Sequence, residues 1–321
     1  MENSTCHVVC FGEILWDNLP TGRKPGGAPM NVAYHLNKLG ATSTLISRVG
    51  EDQNGEELLQ LIRSKGLSTE FCQTDDQHKT STVEVSIGAD HEVKYEIVAP
   101  VAWDYIQPEQ RLEDLVSSAD AFVFGTLAVR NAISFQTLQK LLAKAKYKVF
   151  DVNLREPHYS KQDIAKLLHQ TDLLKLNIHE LNLLSAWFSG DCFTEWDRIK
   201  VLQKQFGIRE IVVTKGAIGA TYYTENAQCN YPAFEVEVND TIGSGDSFLA
   251  AFLSQKLIQK DIQESLTSAS ALGAYVTTRA GACPEYKRYD LNRFIWKTQL
   301  NELNKQLESN QAFAKLKLNQ S

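Results

Sequence analysis

Asp240-Thr241-Ile242-Gly243-Ser244-Gly245-Asp246 runs directly into Ser247-Phe248-Leu249-Ala250-Ala251-Phe252-Leu253, so a small-residue loop ending in a carboxylate is followed by an almost wholly apolar helix. The rest of the chain has to be organised around such a stretch. Gly243 and Gly245 permit backbone geometry closed to other residues. Consecutive N–H groups from Gly243, Ser244 and Gly245 can therefore converge at the helix N-terminus, where the macrodipole favours an anion. Asp246 lies in the first turn beside that cradle, placed to take a proton from a hydroxyl that attacks phosphorus. Cradle and base together read as phosphoryl transfer, although the same residues also fit an N-capped helix start.

The 321 residues and 43% hydrophobic content suffice for a substantial core, in one large α/β domain or two ordinary ones. With 33 Lys and Arg against 39 Asp and Glu, a net charge of -6 and no basic run, the footprint of a nucleic-acid or anionic-membrane binder is missing. Small molecules are the expected partners. The N-terminus shows no basic cluster, and no stretch approaches the ~20 apolar residues of a membrane span, which predicts a cytoplasmic protein. Cys6, Cys10, Cys72, Cys192, Cys229 and Cys283 form no C-x-x-C pair, so they read as reduced thiols rather than a zinc site or a disulfide framework.

Cys6 to Phe11 reads as a buried strand ending at Gly12-Glu13, with Asp17 in a Pro/Gly-bearing loop beyond it. The run from Gly26-Gly27 through Pro29, Asn31 and His35 to Gly40 has Pro in its opening turn and Gly past its end. It predicts a helix with Val32, Leu36 and Leu39 as its buried stripe. Asn31 sits at a cavity mouth beside the Gly26-Gly27 loop. From spacing alone it fits equally a helix-start cap, and His35 a partly exposed surface histidine. A strand at 44–49 and a helix to about Lys65 follow. Alternation over Val83 to Ile97 around Gly88 to His91 then predicts an antiparallel hairpin that stands beside the main sheet as a flap. From Asp120 strands and helices alternate: strand 121–124, helix to about Lys146, strand 148–153, helix, strand 173–177, helices, strand 210–214. That rhythm predicts a parallel sheet with helices on both faces. Strands at 220–223, near Tyr231 and at 235–238 lead into the opening motif, a small-residue helix spans about 269–278, and the tail beyond Asn301 reads as a surface helix. No repeat and no long linker divides the chain, which predicts a single domain over 1–321.

Ligands of open α/β sheets bind beyond the carboxyl ends of the strands, so polar residues that end apolar runs are the candidates. They are Glu13, Asp17, Asp151, Asn153, Arg155, Asn177, Glu180, Thr214, Gly216 and Gly219. Alternation in Asp151-Val152-Asn153-Leu154-Arg155 aims three polar side chains one way, as a polar ligand requires; a loop-capping network around Asp151 fits the same residues. Asn177 and Glu180 are three apart at a helix start and share a face. They could hold a hydrated Mg²⁺ through water or form a capping box.

These residues resemble the ribokinase family of sugar kinases (PfkB-type carbohydrate kinases), in particular its fructokinase branch. The likeness spans nearly the whole chain in order: Gly12-Glu13 with Asp17, GGAPMNVAYHLNKLG, RVGEDQNG, DVNLR, NIHE, VTKGAIG and DTIGSGD. The DTxGxGD signature is kept, with Ile242 where Thr is frequent and Ser244 where Ala is frequent; neither departure touches the carboxylate or removes a backbone amide. The resemblance implies a three-layer α/β/α sandwich with a mostly parallel central sheet and a small β-lid around 14–25 and 80–103. It implies ATP and Mg²⁺, often K⁺ near the signature loop at Asp240, and transfer of the γ-phosphate to a sugar hydroxyl. Asp17, Gly27 and Asn31 would bind the sugar and Arg155 would lie near the sugar or phosphate. Asn177 and Glu180 would serve the Mg²⁺ and phosphate region, Glu180 reaching the metal through water. Thr214, Gly216 and Gly219 would line the nucleotide site.

The expected reaction is D-fructose to fructose 6-phosphate. Phosphoryl transfer asks mainly for alignment and charge neutralisation, which the amide cradle, the metal and Asp246 would provide. No Walker-type G-x-x-x-x-G-K is present, which disfavours a P-loop kinase. The rivals are a kinase for 2-keto-3-deoxygluconate or ribose, the keto-acid suiting Asn153 to Arg155, and a non-catalytic sugar- or nucleotide-binding regulator. The apolar face of the hairpin needs cover, which predicts a homodimer joined through the lids.

Overall fold

The computed structural model of the chain describes residues 5–19, 22–87, 93–188, 190, 194–298 and 300. Its first half holds β1 (His7–Phe11), β2 (Leu15–Leu19), β3 (Gly22–Gly26), α1 (Ala28–Lys38), β4 (Thr42–Gly50), α2 (Gln53–Ser64), β5 (Cys72–Asp75), β6 (Ser81–Ile87) and β7 (Val93–Ile97). Next come α3 (Gln110–Ser118), β8 (Ala121–Gly125), α4 (Ala132–Leu142), β9 (Lys148–Asp151), α5 (Lys161–Leu168), β10 (Leu173–Asn177), α6 (Ile178–Phe188) and α7 (Glu195–Phe206). The chain then forms β11 (Glu210–Thr214), β12 (Ala220–Tyr223), β13 (Gln228–Tyr231), α8 (Ser244–Lys256) and α9 (Ile262–Thr277), with a last helix over 288–298.

Nine strands form one sheet in the order β13-β12-β11-β10-β9-β8-β1-β4-β5. All run in one direction except β12, which pairs antiparallel with both β11 and β13 at one edge. The strands are apolar on both faces, and period two sorts their side chains into two cores. Val8, Cys10, Val123, Val149 and Leu173 pack with α1, α2, α8 and α9. Val9, Phe11, Phe124, Phe150 and Leu174 pack with α3 to α7. This is the expected α/β/α sandwich. Helix α8 lies deep within it, with Leu249 to Leu253 fully buried. Its partner α9 carries Gly273 where a methyl would press 3.3 Å from the Ser244 carbonyl oxygen, so the two helices approach closely. Among the described residues, no helix is long and apolar enough to cross a membrane, and the five cysteines are free.

A second sheet, β3-β2-β6-β7, forms the flap. Asp17 lies in strand β2 of this flap and not in a loop, because Leu15 to Leu19 pair with β3 on one side and Leu15 to Asp17 with β6 on the other. Trp16 Nε1 donates to the Asn54 carbonyl oxygen at 2.9 Å. Arg23 stacks 3.8 Å over the Trp16 ring and pairs with Glu57 at 3.1 Å, latching the flap to α2. The hairpin tip at 88–91, the side chains of 85, 87, 93 and 95, and the tail beyond 301 lie outside the described residues.

Several boundaries differ from expectation; α9 begins at Ile262 and not near Ala269. Residues 235–238 form no strand: the backbone N–H groups of Asn239 and Asp240 both go to the Thr277 carbonyl oxygen at the end of α9. Helix α4 ends at Leu142, the last buried residue of its stripe, and not near Lys146. Strand β9 stops at Asp151, because Asn153 adopts a left-handed φ of 37° that ends the extended run.

Candidate active site

Parallel alignment brings the carboxyl ends of β1, β9, β10 and β11 to one edge, so Glu13, Asp151, Asn177 and Thr214 arrive there together. Helix α8 begins at the same edge. Gly243 caps it at φ 76°, and no side chain satisfies the helix N-terminus. A methyl on Gly243 would stand 2.5 Å from the Ala282 side chain, so both the backbone angle and the space demand glycine. Asp240 Oδ1 accepts from the Ile242 N–H at 3.0 Å and Oδ2 from the Gly281 N–H at 2.8 Å, pinning the signature loop to the loop after α9. The glycine loop read from sequence is therefore a helix N-terminus without a side-chain cap, the kind of end at which an anion is favoured.

Asp246 does not cap the helix. Its Oδ2 accepts from Asn31 Nδ2 at 2.8 Å, and Asn31 Oδ1 in turn accepts from Cys283 Sγ at 3.2 Å. Burial, then the neighbouring Asp151 charge, pushes the Asp246 carboxyl up to about 6, against the opposing pull of Lys175, the Asn31 amide and Arg155. Asn31 is buried and serves the carboxylate instead of capping α1. His35 is fully buried and not a surface residue, because α1 is covered on this face by the chain beyond α9. Its ring nitrogens meet the Tyr286 hydroxyl at 2.9 Å and the Ala282 carbonyl oxygen at 2.8 Å, and burial pushes its pKa down to about 4.

Next to this pair lie the carboxylates proposed from sequence for a polar ligand. Glu13 Oε1 accepts from the Ala28 N–H at 3.0 Å, while Oε2 is buried without a protein partner. Burial pushes Glu13 up to about 7 and Asp17 up to about 6. Gly27, at φ 114°, lets the chain pass where a methyl would collide with the Glu13 carbonyl oxygen. Arg155 is exposed, and its guanidinium charge opposes the upward shift of Glu13, Asp17 and Asp246 alike. The alternation expected over 151–155 is broken at Asn153, so the three side chains do not project together. Asp151 instead turns beneath α8, where both its oxygens accept from Lys175 Nζ at 2.9 and 3.0 Å. Lys175 is the residue that sequence reasoning passed over; its signal was a lysine inside the apolar strand Leu173-Leu174-Lys175-Leu176.

Glu180 and Asn177 form a reciprocal box at the start of α6. Glu180 Oε2 accepts from the Asn177 N–H at 2.7 Å and Oε1 from the Leu154 N–H at 3.0 Å, while Asn177 Oδ1 accepts from the Glu180 N–H at 2.9 Å. Each Glu180 oxygen keeps a lone pair for water. Among the described residues no group of three or more His, Cys, Asp or Glu could hold a metal directly; the one carboxylate and one amide here have the chemistry to meet a hydrated cation through water. Thr214 ends β11. After it, Gly216 and Gly219, both at positive φ, fold a tight turn that leaves Ile218 76% exposed. A cavity of about 500 Å³ between Asp104, Arg130 and His158 is lined by none of these residues.

The pfkB family carbohydrate kinase profile matches residues 11–287. A probable fructokinase-7 from Arabidopsis thaliana is 29% identical, with 90% of this chain and 92% of that protein covered. A fructokinase from Vibrio cholerae O395, solved with fructose, ADP and calcium ion bound, is 25% identical with a TM-score of 0.78, covering 91% of this chain and 100% of that one. A putative ribokinase II from E. coli in complex with ATP and Mg²⁺ shares the fold at 22% identity and a TM-score of 0.75, covering 91% of this chain and 99% of that one.

Proposed function

The chain belongs to the pfkB family of carbohydrate kinases and is a sugar phosphotransferase, and on that premise we propose that it transfers the γ-phosphate of ATP to D-fructose, giving fructose 6-phosphate. The observation that carries the reading is the Asn31–Asp246 contact beside the uncapped N-terminus of α8. The sugar hydroxyl oxygen attacks the γ-phosphorus, the bond to the ADP oxygen breaks, and the hydroxyl proton passes to Asp246. Asn31 holds that carboxylate in place. The amides of the Gly243 to Gly245 loop, of which the Ser244 N–H is drawn toward the Thr241 carbonyl oxygen, lie where the phosphate oxygens arrive, and Mg²⁺, when bound, neutralises phosphate charge. Glu13 Oε2, buried and unpartnered, together with Asp17 on the flap and the Gly27 turn, offers acceptors for sugar hydroxyls; closure of the flap excludes water that would otherwise consume ATP. Thr214, Gly216 and Gly219 line the nucleotide side, with Asn177 and Glu180 reaching Mg²⁺ through water. The fructokinase relatives support fructose as the sugar.

An ADP-release assay over fructose, ribose, glucose, 2-keto-3-deoxygluconate and nucleosides tests the substrate. Fructose should lead. A preference for the keto-acid would assign Arg155 to a substrate carboxylate, and no turnover on any of them would favour a regulator. The proposal extends to K⁺ beside Asp240, checked by exchanging K⁺ for Na⁺ in that assay, and to a cytoplasmic location, checked by fractionation. It extends also to a homodimer joined through the lids, against which light scattering from a monomer at micromolar concentration would count.

A further inference from the structure

Period two and strand register together place Lys175 and Asp151 side by side on the face of the sheet that α8 covers. Lys175 pairs with Asp151 across β10 and β9, on the same face as Leu173 and Val149. Their side chains are only 7% and 4% exposed, and Nζ lies 2.9 and 3.0 Å from the two carboxylate oxygens. The ammonium also stands 3.0 Å from where a methyl on Gly245 would be, so it lies directly beneath the first turn of α8.

Burial works against this ammonium, yet Asp151, Glu180 and Asp246 together hold its pKa above the ordinary lysine value. One buried cation thus faces several carboxylates at the point where phosphate would arrive. The groups whose charge reaches Asp246 are Asp151, Lys175, Arg155, Glu13 and Cys283, of which Arg155 is exposed at the mouth. Lys175 is the buried positive charge in that set.

We propose that Lys175 is a positioning residue of phosphoryl transfer, whose ammonium, clamped on Asp151 beneath Gly245, sets the field that keeps Asp246 ready to accept a proton. This rests on the reading of Asp246 as the proton acceptor. A structural role confined to compensating Asp151 would lower activity equally at every pH.

The test compares kcat/KM for the preferred sugar against pH in wild type, Lys175→Met and Asp151→Asn. Lys175→Met should move the acid limb to higher pH by about one unit, so that turnover falls roughly fivefold near pH 6 and recovers most of the wild-type value in alkali. Asp151→Asn removes the opposing charge and should move the limb the other way. Should Lys175→Met fail to fold, Lys175→Gln, which removes the charge but keeps a donor for Asp151, takes its place with the same upward displacement expected. An active wild type whose acid limb stays put in a folded Lys175→Met or Lys175→Gln overturns the role of Lys175 alone. A wild type that turns over no sugar strikes instead at the assignment of Asp246.

Discussion

Asn31 and Asp246 stand 215 positions apart in the chain and meet through a 2.8 Å hydrogen bond from amide nitrogen to carboxylate oxygen. The contact joins the first helix to the signature helix, and it orients the one carboxylate that lies in the first turn beside the glycine loop.

Asp246→Asn keeps size and helix start but removes the proton acceptor, so turnover should fall by roughly 10²–10⁴. Sugar and ATP binding should change far less, since Asp17 and the nucleotide turn are untouched and the amide oxygen of the new Asn can still accept from Asn31. Kinetics, ligand titration and melting on one purified variant read all three; near-normal turnover would remove Asp246 from the mechanism.

Because burial raises the Asp246 carboxyl to about 6, activity should rise as pH increases through that value and level off above it. Steady-state rates between acid and mildly alkaline pH check this, and Asp246→Asn should lose the limb along with the rate.

Stability should run the opposite way. Glu13 titrates near 7 in the folded protein against an ordinary 4.5, so between those values the folded state binds the extra proton. Stability is therefore fully present below the lower value and is lost as pH rises through the upper one. Glu13→Gln should flatten the decline of melting temperature with pH and raise the sugar KM by about tenfold, the size expected for losing one hydrogen bond to a charged group. An unchanged melting profile would contradict the assignment.

Gly243→Ala forces a left-handed alanine against Ala282, and about 1–3 kcal/mol of stability should go with it. The loss of turnover should exceed what the drop in melting temperature explains, because the cradle itself is displaced. Binding of ADP by calorimetry at a temperature where the variant is folded separates the two effects.

Arg23→Ala removes the stack on Trp16 and the pair with Glu57 that hold the flap to α2. The half-exposed pair adds little stability by itself. The sugar KM should rise by roughly two- to tenfold with the ATP KM little changed, as for a weakened closing equilibrium. Equal changes in both constants would point to a fault beyond the flap.

Much of this organisation was legible in the residues. The parallel strands are short apolar runs such as Val8 to Phe11 and Ile211 to Val213, whose burial on both faces leaves a clear mark, and Gly243, Gly245 and Asp246 announce their helix start by composition. What escaped were relationships made by packing. Lys175 is one charge in an apolar strand, and only the strand register puts it against Asp151. His35 looked like a surface residue because the segment that buries it, Ala282 to Tyr286, lies at the far end of the sequence. The polar alternation at 151–155 was misread because a left-handed Asn153 leaves no local trace. The flap strand around Asp17 was hidden because Pro20 and the glycines beside it look like a loop, whereas pairing from β3 and β6 makes it extended.

The closure of α1 by the chain beyond α9 has a consequence for synthesis. Tyr34 donates to the Pro284 carbonyl oxygen at 2.7 Å, His35 meets Ala282 and Tyr286, and Cys283 holds Asn31. While the ribosome still holds residues 282–286, the N-terminal helix has nothing to close against, and the Asn31 amide lacks both its thiol and its carboxylate partner in their final places. Strands of a parallel sheet that wait for distant partners fold late. The nascent polypeptide can gather most of its sheet during elongation, yet a competent phosphate-transfer centre assembles only after release of nearly the whole chain, so truncation anywhere before that segment should yield folded but inactive material at best.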